Sequence, residues 1–247
     1  MLRSFSDLPT LSFITGVSRL DVLQKHLARS PCFQTHGASL TACINAPSAA
    51  QAFNAAVMTC QTDWLVWVHQ DVYLPEGWET AFAQQLQRAQ AHWPTLAVAG
   101  VYGVCGKGQG ALHVGHVLDR GTLLAPRVQL PCLADSLDEL LVAVRVGSGL
   151  QMDPDLGFDF YGTDLVLQAQ AKGLCCAVVD AYCEHWSDTP AQWPLPAAMV
   201  ERISRNARAF ERKWAKQLPI TTSCFDIHQL GDVQSFLAGH GHGDDLA

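Results

Sequence analysis

The chain alternates between short apolar runs and segments with helical periodicity as far as Tyr102. The apolar runs cover residues 11–17, 39–45, 64–68 and 96–102, and the helical segments cover residues 18–30, 49–60 and 76–92. Each apolar run is long enough for a strand and too short for a helix that buries itself. Strands that alternate with helices predict an α/β fold with a mostly parallel, doubly wound central sheet.

The third apolar run, WLVWV, ends in His69, Gln70 and Asp71. Polar side chains at the carboxyl end of a buried strand lie where open α/β sheets usually hold ligands. Two interpretations stay open. His69 and Asp71 either satisfy backbone groups at a solvated strand end, or Asp71 holds a divalent cation that bridges nucleotide phosphates.

Composition narrows the classes of protein to which the chain can belong. At 247 residues, with 49% apolar and 16% charged residues, the chain is long enough to bury a substantial core as one large or two small domains. The net charge of −7 argues against a broad basic surface for nucleic acid. We therefore expect a compact protein with no nucleic-acid partner.

The nine cysteines include no C-x-x-C pair, so the sequence indicates neither a zinc ribbon nor a thioredoxin-like motif. Free, buried thiols in a reducing compartment are the expectation. The first residues lack a long apolar segment followed by a small-residue cleavage site, and no apolar run is long enough to span a membrane. These features predict a soluble, cytoplasmic protein.

Less regular segments follow the alternating part. Residues 103–115 are rich in glycine and predict a loop; they lack the G-K-[ST] ending of a phosphate-binding P-loop. Residues 137–146 fit either a helix or a strand, and Asp138 and Glu139 stand at their start.

A second set of acidic residues lies in the segment GFDFYGTDLVLQAQAKG, residues 157–173. Its periodicity predicts a helix that begins near Thr163, with Asp159 and Asp164 at its amino end, where the helix dipole favours anions. A first-turn dipole partner is therefore one interpretation of Asp164. A strand over residues 174–179 follows, and His185 stands beyond it much as His69 ends the third run.

These motifs occur together in the order H-Q-D-V, P-x-G-W, F-D-F-Y-G-x-D-L and H-x-S. In this order the chain resembles family 2 glycosyltransferases, in particular the glycosyltransferase-like group named after a streptomycin-biosynthesis protein, from about Leu11 to Ser187. The resemblance implies a GT-A-like αβα sandwich that transfers a sugar from a nucleoside-diphosphate sugar to an acceptor hydroxyl. It also implies inversion, Mg²⁺ or Mn²⁺, and a place in cell-surface polysaccharide or glycoconjugate synthesis.

The same resemblance assigns roles to the two strand ends. Asp71 takes the position of the last aspartate of a D-x-D motif, which binds the metal, and His69 stands where the first acidic residue would be. His185, in the H-x-S segment, is implied as a second metal ligand. Imidazole suits Mn²⁺ better than Mg²⁺.

An inverting transfer needs a base that takes the acceptor's proton. In many family 2 enzymes the base lies two residues before the D-L pair, a position that is Gly162 in this chain. Asp164 or Asp159 is then the predicted base, with Asp164 preferred because a carboxylate at a helix mouth can project into the cleft.

Further donor-binding residues follow from the same resemblance. It places Val17, Asn45 and Asn54 near the nucleotide, although both asparagines are equally explained by turn or helix packing. Asp138 and Glu139 are placed near the donor or acceptor sugar, and an exposed acidic helix start explains them nearly as well.

The sequence divides into a GT-A-like domain, residues 1–193, and a C-terminal helical extension and tail, residues 194–247. Residues 196–218 form a basic amphipathic pattern that either packs on the domain or lies on an anionic membrane. Two rival functions remain: a catalytically inactive GT-A-like binding or scaffold protein, and a nucleotidyltransferase, which would need a glycine-rich basic loop that the chain lacks after its first strand.

Overall fold

The computed structural model describes residues 8–125, 128–187 and 195–240. In chain order its strands are β1 (Leu11–Val17), β2 (Leu40–Ile44), β3 (Trp64–Val68), β4 (Val72–Tyr73), β5 (Leu96–Gly100), β6 (Tyr102–Cys105), β7 (Leu112–Gly115), β8 (Val117–Asp119), β9 (Thr122–Leu124), β10 (Cys132–Leu133), β11 (Ser136–Leu137), β12 (Leu141–Arg145), β13 (Cys175–Val178), β14 (Cys183–His185), β15 (Ile220–Thr221) and β16 (Asp226–Ile227). The α-helices are α1 (Leu20–Lys25), α2 (Pro31–Gln34), α3 (Ala49–Thr59), α4 (Trp78–His92), α5 (Tyr161–Ala171), α6 (Ala197–Lys213) and α7 (Asp232–Gly239).

The main sheet has seven strands in the order β10-β13-β5-β12-β3-β1-β2. Strands β1, β2, β3, β5 and β13 run in one direction, and β12 and β10 run against their neighbours. The predicted α/β class with a mostly parallel central sheet is confirmed. Residues 137–146, for which the sequence allowed either a helix or a strand, contain strand β12, which lies between β3 and β5.

Strand β3 is buried on both faces. Its alternate residues Trp64, Val66 and Val68 belong to one core cluster together with residues of α1 and α4, whereas Leu65 and Trp67 belong to a second cluster with residues of α3 and α5. Helices therefore cover both faces of the sheet, which explains why the strand is a continuous apolar run instead of an alternating one.

Two expectations about the middle of the chain are wrong. The glycine-rich segment is a β-hairpin and not a loop throughout, since β6 pairs antiparallel with β7. Cys105 and Cys132 form a disulfide, so not every cysteine is a free thiol. This bridge joins the end of β6 to β10, which lies at the edge of the main sheet.

The C-terminal segment packs on the amino end of α5. Val200, Ala207 and Phe210 of α6 join Leu156 and Phe160 in a third core cluster. The amphipathic pattern of α6 thus serves packing, and membrane contact stays a prediction. None of the helices in the described part of the chain has the length and apolarity that spanning a bilayer requires. Residues 1–7 and 241–247 lie outside the described residues.

Candidate metal and nucleotide site at the carboxyl edge of the sheet

Three side chains that are far apart in the sequence converge beyond the end of β3. His69 follows β3 directly, Asp71 precedes β4, and His185 ends β14. The short strands β4 and β14 pair antiparallel, with His185 opposite Val72, and the amide of Trp186 donates to the carbonyl oxygen of Asp71. This pairing brings the two strand ends together.

The geometry of the three side chains suits a divalent cation. Their ligand atoms all lie within 4.8 Å of one another, and His185 Nε2 lies 3.5 Å from Asp71 Oδ1. Asp71 Oδ1 is buried and has no hydrogen-bond partner among the described residues. A buried carboxylate oxygen without a partner is costly unless a ligand satisfies it. Two imidazoles and one carboxylate therefore fit a metal such as Mn²⁺.

Asp119 orients the second histidine. Its Oδ1 lies 2.8 Å from His185 Nδ1, and its other oxygen accepts hydrogen bonds from Arg120. A carboxylate on one ring nitrogen directs the other nitrogen toward the metal, as in many metal sites. Asp119 ends β8, which pairs with β14, and no feature of the sequence indicated it.

The first histidine is held by a buried network. The phenol of Tyr161 donates its single proton to the carbonyl oxygen of Glu139, at 3.0 Å. It therefore accepts hydrogen bonds from Trp67 Nε1, at 2.9 Å, and from His69 Nε2, at 2.8 Å. The proton of neutral His69 then lies on Nε2, which leaves the lone pair on Nδ1 for a ligand.

The charges of the three side chains shift one another's pKa values. Burial lowers the pKa of His69, opposed by the charge of Asp71. Burial also acts to lower the pKa of His185, but its hydrogen bond to Asp119 and its ion pair with Asp71 outweigh that effect and raise the pKa to about 9. For Asp71, burial acts to raise the pKa, and the two histidines lower it to about 2. Without a bound cation, these pKa values would pair an ionised Asp71 with a protonated His185 at neutral pH.

A cavity of about 560 Å³ opens beside these residues, within the size range of small-molecule sites of about 300–1,000 Å³. It is lined by Gly16, Val17, Ser18, Asn45, Ala46, Trp67, His69, Gln70, Asp71, Phe158 and Arg202. The side chain of Gln70 closes one wall, since its oxygen accepts from the amides of Ser18 and Arg19. The loop after β1 is thereby fixed against the end of β3.

Of the three residues predicted to lie near the nucleotide, two line the cavity and one does not. Val17 and Asn45 line the cavity, and the amide of Asn45 donates to the carbonyl oxygen of Val17. Asn54 does not line it. Its side chain makes two hydrogen bonds, of 2.8 and 2.9 Å, to the backbone of Met152, which is the helix-packing role.

The two predicted bases are both engaged in ion pairs with the C-terminal segment. The carboxylate of Asp164 is fully buried and contacts Lys213 Nζ at 2.7 Å and Trp214 Nε1 at 2.8 Å. Asp159 accepts two hydrogen bonds from Arg202 and one from Asn206. The expectation that Asp164 projects into the cleft is wrong, because these partners enclose its carboxylate.

The acidic pair before β12 also has defined positions. Asp138 accepts from the amide of Leu140, so it caps a turn. Glu139 accepts hydrogen bonds from the amides of Phe160 and Gly162 at the amino end of α5. Burial and the nearby charges of Asp138 and Asp159 raise its pKa well above the usual range. Neither residue is an exposed helix start.

Sequence comparison with known proteins gives a partial match. The chain matches no family model. It is 28% identical over 137 residues to a Fuscovulum blasticum protein named "ATP synthase subunits region ORF 6", a match that spans 51% of this chain and 53% of that relative. The chain therefore covers only about half the length of this curated relative.

Two solved structures resemble this chain to different degrees. Mannosyltransferase PcManGT from Pyrobaculum calidifontis, solved with GDP-Man and Mn²⁺, has a TM-score of 0.53 at 12% identity, over 87% of this chain and 65% of that chain. A197 from STIV has a TM-score of 0.44 at 14% identity, over 73% and 87% of the two chains. The first likeness shows a GT-A-like fold for this chain.

Proposed function

We propose that this protein is a metal-dependent glycosyltransferase that moves a sugar from a nucleoside-diphosphate sugar to an acceptor hydroxyl. The observation that carries the proposal is the convergence of His69, Asp71 and His185 on the carboxyl edge of a GT-A-like sheet, where His69 and Asp71 also line a cavity. Asp71 Oδ1, which is buried and accepts no hydrogen bond from the described residues, supports a cation at that point.

The three side chains would hold Mn²⁺ or Mg²⁺, and we favour Mn²⁺ because two of the three donors are imidazoles. A bound cation would supply positive charge to the diphosphate as it leaves. Val17 and Asn45 lie where the nucleoside would enter, and Trp67 and Phe158 offer aromatic surface in the same cavity. The mannosyltransferase of similar shape was solved with GDP-Man and Mn²⁺, which agrees with this class of donor.

Of the two carboxylates that the sequence offers as base, we propose Asp159. Its side chain is 14% exposed and pairs with Arg202, which lines the cavity, whereas the side chain of Asp164 has no exposure. From the resemblance to family 2 glycosyltransferases we also propose that transfer inverts the anomeric configuration. The same resemblance suggests a role in cell-surface polysaccharide or glycoconjugate synthesis.

The rival proposal is a GT-A-like protein that binds a nucleotide sugar without turning it over. One observation favours it: both carboxylates near the amino end of α5 are paired with side chains of the C-terminal segment. The two proposals agree on donor binding and differ only in turnover.

A thermal-shift panel tests the shared claim. We expect at least one of UDP-, GDP-, dTDP- and CMP-sugars to raise the melting temperature with Mn²⁺, and EDTA to abolish the shift. Asp71→Asn should weaken the shift, because the substitution removes a charge from the metal site. If no donor stabilises the wild-type protein, the proposal that it binds a nucleotide sugar is wrong. If a donor binds and is not consumed with any acceptor tested, the result supports the binding protein without turnover.

A further inference from the structure

We propose that Arg202 of α6 forms the diphosphate subsite of the donor cavity, so that the C-terminal helix is part of the active site and not an accessory. The inference rests on the proposed function, because the ligand it names is the diphosphate of the donor. It assigns a binding role to a helix whose sequence indicates only packing or a membrane surface.

The first argument is the charge of the cavity. Among the described residues that line it, Arg202 is the only lysine or arginine, and Asp71 contributes a negative charge. A diphosphate carries several negative charges, while the chain as a whole has a net charge of −7. A metal ion alone would leave part of this charge uncompensated, and a guanidinium is well suited to bind phosphate oxygens.

The second argument is the orientation of the guanidinium. Arg202 Nε donates to Asp159 Oδ2 at 3.1 Å, and Nη2 donates to Asp159 Oδ1 at 3.0 Å. Asn206, one turn further along α6, donates to the same carboxylate at 2.6 Å. A guanidinium has five N–H groups, so this two-point pairing fixes its plane and leaves other N–H groups for a ligand. Its side chain is 39% exposed.

The third argument is that buried packing and ion pairs fix the position of α6 against the rest of the fold. The buried carboxylate of Asp164 holds Lys213 and Trp214 at the carboxyl end of the helix, and Asp153 also pairs with Lys213. Phe210 is fully buried in the third core cluster. The acidic residues near the start of α5 therefore position α6, and α6 in turn presents Arg202 to the cavity.

His69, Asp71 and Arg202 line the same cavity. A ligand that reaches from the proposed metal position to the guanidinium would meet positive charge at both points. The two phosphates of a nucleoside diphosphate would supply negative charge to both.

Isothermal titration of the full chain with Mn²⁺ and then with UDP, GDP or pyrophosphate tests the inference. Arg202→Gln should weaken the diphosphate's affinity about 10- to 100-fold, the cost of losing a charged hydrogen-bond donor. Its affinity for Mn²⁺ alone should not change. Arg205→Gln, on the exposed side of the same helix, is the matched control and should bind like the wild type.

A second variant separates binding from helix seating. Lys213→Gln removes the ion pairs with Asp153 and Asp164 that hold α6 and leaves Arg202 and Asp159 intact, so it should retain diphosphate binding. Equal losses in Lys213→Gln and Arg202→Gln would show that Arg202 acts only through the packing of α6, and unchanged binding in Arg202→Gln would show that the arginine is not used; either result overturns the inference. If the wild type binds none of the three probes with Mn²⁺, the proposed function fails first.

Discussion

A Cβ atom at Gly162 would lie 2.4 Å from the carbonyl oxygen of Leu137. Real Cβ atoms do not approach a backbone oxygen so closely. The clash would arise because α5 packs directly against β11 at this point. The position at which the family 2 glycosyltransferases that the sequence resembles carry their base is therefore closed to any side chain here. The chain's departure from the pattern it resembles has a packing cause.

Gly162→Ala should accordingly lower the free energy of unfolding by about 1–3 kcal/mol, the usual cost of overpacking a tight contact. Urea unfolding followed by circular dichroism measures this change. Gly239→Ala is the matched control, since a Cβ at that helical glycine meets nothing within 4 Å. Equal stability of both variants would contradict the packing explanation.

Asp164→Asn should destabilise the protein more than it slows transfer. The substitution removes a buried charge that binds Lys213 and Trp214, which we expect to cost about 1–3 kcal/mol. Melting temperature and turnover are measured together, with the exposed Asp155→Asn as control. A fall in turnover of roughly 10²–10⁴-fold without loss of stability would instead identify Asp164 as the base.

Asp159→Asn should reduce turnover by roughly 10²–10⁴-fold while donor binding persists, because the variant lacks the proposed proton acceptor. Initial rates of sugar transfer at saturating donor measure the effect. Glu139→Gln is the informative comparison, since burial raises the pKa of that carboxyl. Loss of turnover in Glu139→Gln alone would move the role of base to Glu139.

Asp119→Asn should weaken Mn²⁺ binding about 10- to 100-fold, because the carboxylate orients His185 from behind the metal position. Electron paramagnetic resonance of free Mn²⁺ gives the affinity directly. Asp180→Asn is a matched control: Asp180 makes a similar contact, of 2.9 Å, with His116, a residue outside the proposed metal site. Identical affinity in Asp119→Asn and the wild type would remove Asp119 from the site.

Mn²⁺ affinity should rise with pH up to about 9. The pKa of His185 in the metal-free protein is raised to about 9, so below that pH a proton occupies the imidazole and competes with the metal. The fraction of deprotonated His185, and with it the apparent affinity, should increase roughly tenfold per pH unit between about pH 6 and pH 8. Asp71, whose pKa is lowered to about 2, stays ionised throughout. A flat profile would show that His185 is not a ligand.

The sequence alone determined most of the secondary-structure elements of the first half of the chain. It also determined one of the two strand ends that form the candidate metal site. Apolar runs and helical periodicity are local properties, so β1, β3 and α4 were predictable from neighbouring residues. The polar residues His69 and Asp71 were recognisable because they directly follow a run that must be buried. Element ends were less predictable, since the predicted start of α5 near Thr163 lies two residues beyond its start at Tyr161.

Only the tertiary structure decided which distant residues meet. The pairing of β4 with β14 sets His185 against Asp71, and the pairing of β14 with β8 adds Asp119. The seating of α6 buries Asp164 and brings Arg202 to the cavity. Local sequence does not encode these contacts, because whether a carboxylate faces a cleft or a lysine depends on segments that fold onto it from elsewhere in the chain. A carboxylate at a helix start therefore looks the same in sequence whether it anchors a helix or takes a proton.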